Sequence, residues 1–83
     1  MRDSTVSYGR LDEVLVTLGF SVHVEQGKHC VYAHEPTGAL VTLPDRNRSE
    51  LVSAAYLAAA RKVLSDYGIA NELEFASQLQ KAS

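Results

Sequence analysis

The sequence predicts an α+β domain in the order α-β-β-β-α-α, a three-stranded antiparallel sheet with helices packed on one face. Three observations carry this. Two alternating runs rich in β-branched and aromatic residues, 20–24 and 29–34, flank Gln26-Gly27. A third run, 39–43, follows a turn at Pro36-Thr37-Gly38 and is closed by Pro44. Before and after these runs, apolar residues recur at helical spacing. The length of 83 residues gives one domain, 1–83, with a core over about 8–79. A chain this short buries only roughly 60–65% of its unfolded surface, which leaves a homodimer or a bound partner as a source of further burial.

Residues 1–6 show no periodicity. Leu11, Val14, Leu15 and Leu18 then fall at i, i+3, i+4 and i+7, one apolar stripe on a helix. Ser7 is the expected N-cap, and Asp12 and Glu13 lie toward the positive end of its dipole. Gly19 stands where a left-handed C-cap belongs. A two-residue turn at Gln26-Gly27 pairs Val24 with His29 and His23 with Cys30. In that register Val22, Val24, Val31 and Ala33 face the helices, while His23, Cys30, Tyr32 and His34 face out. His29 is then helix-facing, at the mouth of the turn, with His23 and His34 on the opposite face. In the third strand Val41 and Leu43 share one side, and Leu40 and Thr42 the other.

The stretch 45–49 is polar, and Asn47 with Glu50 resembles a capping box, so a helix is expected from Arg48 or Ser49 to Tyr67. Its apolar face is Val52, Tyr56, Leu57, Ala60, Val63, Leu64 and Tyr67, and Gly68 ends it. Asn71 and Glu74 form a second capping-box pattern, opening a short helix with Leu73, Phe75, Ala76 and Leu79 apolar.

Composition narrows the function classes. The single cysteine, Cys30, excludes an intramolecular disulfide and fits a reducing, cytoplasmic setting. No apolar run approaches the ~18 residues of a membrane span, and no signal-peptide apolar region follows Met1. Net charge is −2, which disfavours a strong nonspecific nucleic-acid binder. The charge is unevenly spread, however: residues 26–62 carry a local +2, and each flank carries −2. Ordinary solvated charge also gives such a pattern.

In order and spacing, several pieces resemble the HicA-type toxins of bacterial toxin–antitoxin modules. Gly19-Phe20 matches the family's first Gly-aromatic step, and Gly27-Lys28-His29 its Gly-Ser/Thr-His tripeptide. His34-Glu35-Pro36-Thr37-Gly38 matches the His-Pro hairpin with one inserted residue, and residues 40–44 the strand ending in Pro. Residues 60–64 and Tyr67-Gly68-Ile69 match the last core helix, and residues 71–75 an acidic-aromatic tail. The likeness spans about residues 8–79. It implies a double-stranded-RNA-binding-domain-like fold, an mRNA-cleaving activity in the cytoplasm, and a HicB-type antitoxin as partner.

The resemblance places the catalytic role on His29. Metal-free RNA cleavage needs a base for the 2′-hydroxyl proton and an acid for the leaving 5′-oxygen. An ordinary imidazole, titrating near ~6.5, serves either step. The route asks for no metal or cofactor. Lys28 and Arg61 are the candidates for phosphate stabilisation, Arg46 and Arg48 for backbone contacts, and Lys62 completes the RNA-binding set. His23, Cys30 and His34 invite a zinc reading, but no pair has close metal-motif spacing and a fourth ligand is missing. Lys28 stands where the family usually has Ser or Thr. A second class therefore stays open, a non-catalytic module of the same fold that binds RNA or protein.

Overall fold

The computed structural model describes residues 6–25 and 29–80. The elements are helix α1 (Tyr8–Thr17), strands β1 (Ser21–Glu25), β2 (His29–His34) and β3 (Ala39–Pro44), and helices α2 (Ala54–Asp66) and α3 (Glu72–Gln80). The strands form one antiparallel sheet in the order β1-β2-β3. Among the described residues no helix is long and apolar enough to cross a membrane.

Helix α1 begins as its sequence dictates. The Ser7 hydroxyl accepts from the Arg10 amide at 3.1 Å, satisfying one of the helix's orphan donors. It stops at Gly19, whose φ of 103° is open to glycine at little cost. There the Phe20 amide reaches back to the Leu15 carbonyl and the Gly19 amide to that of Val16, both at 3.0 Å, the paired bonds of a Schellman close. Helix α2 ends by the same device, Ile69 bonding Leu64 and Gly68 bonding Ser65. At α3 the predicted capping box is present. The Glu74 amide donates to Asn71 Oδ1 at 2.8 Å, and the Asn71 amide to Glu74 Oε1 at 3.0 Å.

The first hairpin corrects the expected register. Glu25 pairs with His29, Val24 with Cys30, His23 with Val31 and Val22 with Tyr32. Three residues, 26–28, separate the paired ends instead of two; the turn itself, including Gly27 and Lys28, lies outside the described residues. With a side-chain period of two, that one-residue shift turns all of β2 over. Cys30, Tyr32 and His34 therefore share the helix-covered face with Val22, Val24, Ala39, Val41 and Leu43. His29, Val31 and Ala33 share the outer face with His23, Leu40 and Thr42. The physical reason is Tyr32, a large aromatic that is buried in the core and finds a partner for its hydroxyl there. The β1 and β3 faces are as expected.

The second correction is the start of α2. It begins at Ala54, capped by Ser53, whose hydroxyl accepts from the Tyr56 amide. Residues 48–52 are instead engaged with the segment leading into α1. The Tyr8 amide donates to the Glu50 carbonyl, that of Gly9 to Arg48 and that of Val52 to Val6, at 2.8–3.0 Å, and Ser7 bridges Leu51. The Tyr8 and Gly9 bonds use free amides of the first turn of α1, a partner that no local pattern in 45–53 announces.

The core joins Leu11, Val14 and Leu15 of α1, Phe20, Tyr32, Val41 and Leu43 of the sheet side, and Val52, Ala60, Leu64, Ala70 and Phe75. Arg10 ties α1 to α3, donating to the Gln78 and Leu79 carbonyls at 2.8 and 3.3 Å. These late carbonyls of α3 are the ones a helix leaves unsatisfied.

Candidate functional site

Two surfaces meet at the sheet end where β2 begins and β3 finishes. On the outer face, His29 is exposed and stands in register between Glu25 and Pro44. The expected helix-facing position of His29 is thus overturned. Its ring belongs to the face that no helix covers, and His23 belongs to that same face, exposed and opposite Val31. His29 and Val31 are alternate residues of one strand, so His23 and His29 are diagonal neighbours. Such positions lie about 7–8 Å apart.

His34 goes the other way. It turns to the helix side, its ring centroid 5.1 Å from that of Phe20, and Nδ1 lies 2.8 Å from the Thr37 hydroxyl oxygen. The same oxygen accepts from the Ala39 amide. His34 is thereby a hairpin and packing residue. His23, Cys30 and His34 do not share a face, and among the described residues no three His, Cys, Asp or Glu side chains are grouped for a metal ion.

On the helix side of the same sheet end lies a cleft of about 350 Å³ between α1, β1, β2 and the 45–48 segment. Its wall includes Val22 and Val24, 41% and 62% exposed. Its floor is polar. The Tyr32 hydroxyl donates to Asp12 Oδ1 at 2.7 Å, and Arg48 Nη1 donates to Asp12 Oδ2 at 3.2 Å. Burial, then the Asp12 carboxylate, pushes the Tyr32 phenol far above its ordinary value. Burial also raises the Cys30 thiol, helped by Asp45 and Asp12, so this cysteine is held as the thiol and is a poor nucleophile.

The cationic residues divide. Arg48 is committed to the fold. It pairs with Asp12, lies 3.8 Å from Glu13 and donates to the Gly9 carbonyl at 3.3 Å. A Cβ on Gly9 would sit 3.2 Å from the Arg48 side chain, so the glycine makes room for it. Asp12 and Glu13 lie past the first turn of α1 and serve this arginine, a different job from the dipole role expected of them. Arg46 is exposed, takes part in no ion pair among the described residues, and follows two residues after Pro44, the partner of His29. Its charge is near enough to Tyr8 to oppose the upward shift that burial gives that phenol. Arg61 and Lys62 stand apart on α2, where Lys62 pairs with Asp66 at 3.1 Å. Lys28 lies outside the described residues.

The structure thus places His29 and Arg46 at one end of the sheet but on opposite sides of it, His29 on the outer face and Arg46 lining the helix-side cleft, and leaves Arg61 and Lys62 on a helix. Sequence reasoning missed the Asp12–Tyr32–Arg48 network, whose only signal was an acid on a helix with no paired base in its own turn. It also separated His23 from His29. Comparison with protein-family models, with curated proteins and with solved structures finds no match to this chain.

Proposed function

We propose that the chain is a HicA-like RNA-cleaving domain with a double-stranded-RNA-binding-domain-like fold, acting on single-stranded mRNA in the cytoplasm through His29. The observation that carries this reading is the accessibility of His29, exposed at a strand end on the uncovered sheet face, within reach of an extended phosphodiester. An imidazole there can take the 2′-hydroxyl proton as the 2′-oxygen attacks phosphorus. The 5′-oxygen bond breaks, the leaving oxygen is protonated, and a 2′,3′-cyclic phosphate and a 5′-hydroxyl result. Arg46, which lines the helix-side cleft at the same sheet end, is the proposed cation for the phosphate, reached around the end of β3. A HicB-type antitoxin would neutralise the activity by covering this sheet end.

The division of charge favours a second reading, a non-catalytic binding module. Arg48 and Lys62 are already paired with carboxylates, so they offer less to a phosphate backbone. Growth after induced expression separates the two. Wild type arrests growth and His29→Ala does not if the chain is a nuclease toxin. Equal growth of both strains, with folded protein present, moves the conclusion to the binding module.

A further inference from the structure

We infer that His23 is the second proton-transfer group of the site, so that two imidazoles on the outer sheet face, His23 and His29, share the acid and base roles. This rests on the nuclease reading and specifies how it works. The register is the foundation. With Glu25 opposite His29 and His23 opposite Val31, the two histidines are diagonal residues on one face. The other two corners of that patch are Val31, opposite His23, and Glu25, opposite His29, and Thr42 lies beyond Val31 on the next strand.

The contrast with His34 is the second support. His34 has a structural occupation, a hydroxyl at 2.8 Å and an aromatic ring beside it. His23 and His29 are exposed and have neither a hydrogen bond nor an ion pair among the described residues. Their rings are at liberty to meet a ligand. Among the described residues, the charged positions near this end of the sheet include Glu25 and Arg46. Glu25 stands opposite His29 in the register, and Arg46 follows Pro44 at the same end but lines the cleft on the helix side. Val31, Thr42 and Pro44 complete the neighbours from β2 and β3 and carry no charge.

The chemistry needs two groups. In the transesterification one nitrogen accepts the 2′-hydroxyl proton while the 2′-oxygen–phosphorus bond forms. Another nitrogen gives a proton to the 5′-oxygen as the phosphorus–5′-oxygen bond breaks. The two oxygens lie on opposite sides of the phosphorus. A single imidazole would have to serve both sides in one step, whereas a diagonal pair about 7–8 Å apart admits a phosphodiester between the rings. The site ends each turnover with the proton exchanged between the histidines, and solvent restores it.

The test is the pH dependence of kcat/KM for cleavage of a short, fluorescently labelled single-stranded RNA, by wild type, His23→Ala, His23→Gln and His29→Ala. Circular dichroism is recorded for each variant to establish the fold. Wild type is expected to give a bell, one limb from each group. Both His23 variants should fall by about 10²-fold or more and lose one limb. The double variant His23→Ala/His29→Ala should be no worse than the more damaged single one, because the pair acts as a unit. Folded His23 variants with the wild-type rate, or with a uniform drop and both limbs intact, overturn the inference. If His29→Ala is inactive at the same time, the nuclease reading survives. Absence of cleavage by folded wild type overturns both.

Discussion

The Tyr32 hydroxyl donates a 2.7 Å hydrogen bond to Asp12 Oδ1, fastening the central strand to the first helix. The bond, with the burial of the Tyr32 ring, favours the inward face of β2 that the register shows. A tyrosine turned inward must find a partner for its hydroxyl, and Asp12 supplies one while Arg48 holds the other carboxylate oxygen. His29, three residues before Tyr32, is thereby sent to the outer face.

Replacing Tyr32 by Phe should cost about 1–2 kcal/mol, at the low end for a bond to a charged acceptor, because Asp12 keeps Arg48 and solvent. Urea unfolding at neutral pH measures it. A change within a few tenths of a kcal/mol would mean that this bond does not hold the register.

The same phenol makes stability sensitive to base. Folding raises the Tyr32 pKa, so its contribution is complete below the ordinary value near ~10 and is lost as pH climbs toward the folded value. Wild type should lose stability as pH rises above about 10, and Tyr32→Phe should flatten that decline. Tyr8, also raised by burial, leaves part of the slope. Thermal unfolding across this pH range reads both curves.

Leu15 and Leu64 are fully buried, whereas Leu73 is 81% exposed. Leu15→Ala and Leu64→Ala should each cost about 2–5 kcal/mol. Leu73→Ala should stay within about half a kcal/mol. Denaturant midpoints compare the three directly.

Much of this fold was legible because its signals are local. The Leu11–Leu18 stripe, the Ser7 cap, the Gly19 and Gly68 stops and the Asn71/Glu74 box each need only a few neighbouring residues, and all are present. The failures share one cause. The register of β2 depends on Tyr32 meeting Asp12, 20 residues away. The start of α2 depends on residues 48–52 bonding the chain before α1. Neither partner can be read from its own window. The site was legible in its residue types and not in its layout: Arg46 and His29 come to one end, Arg48 is absorbed by Asp12 and Glu13, and His23 joins His29 through the shifted register.

RNA binding should weaken steeply with salt, and Arg46→Glu should weaken it across all sequences while reducing the salt slope by about one. Arg48→Ala should act differently, lowering stability through lost contacts to Asp12 and Gly9 more than it lowers affinity. Fluorescence anisotropy at several salt concentrations, alongside unfolding curves, separates the two arginines. Salt-independent binding would remove the phosphate contact from the account.

The central claim is that His29 transfers a proton in RNA cleavage, and the direct measurement is cleavage of single-stranded RNA by purified protein free of any partner. Wild type should cut in the presence of a chelator, leaving 2′,3′-cyclic phosphate ends identified by mass spectrometry. His29→Ala, exposed and outside the core, should keep its fold and its RNA affinity and lose about 10²-fold or more in rate. His34→Asn should keep cleaving, since that ring serves the hairpin. Undiminished cleavage by folded His29→Ala, or none by folded wild type, would contradict the account.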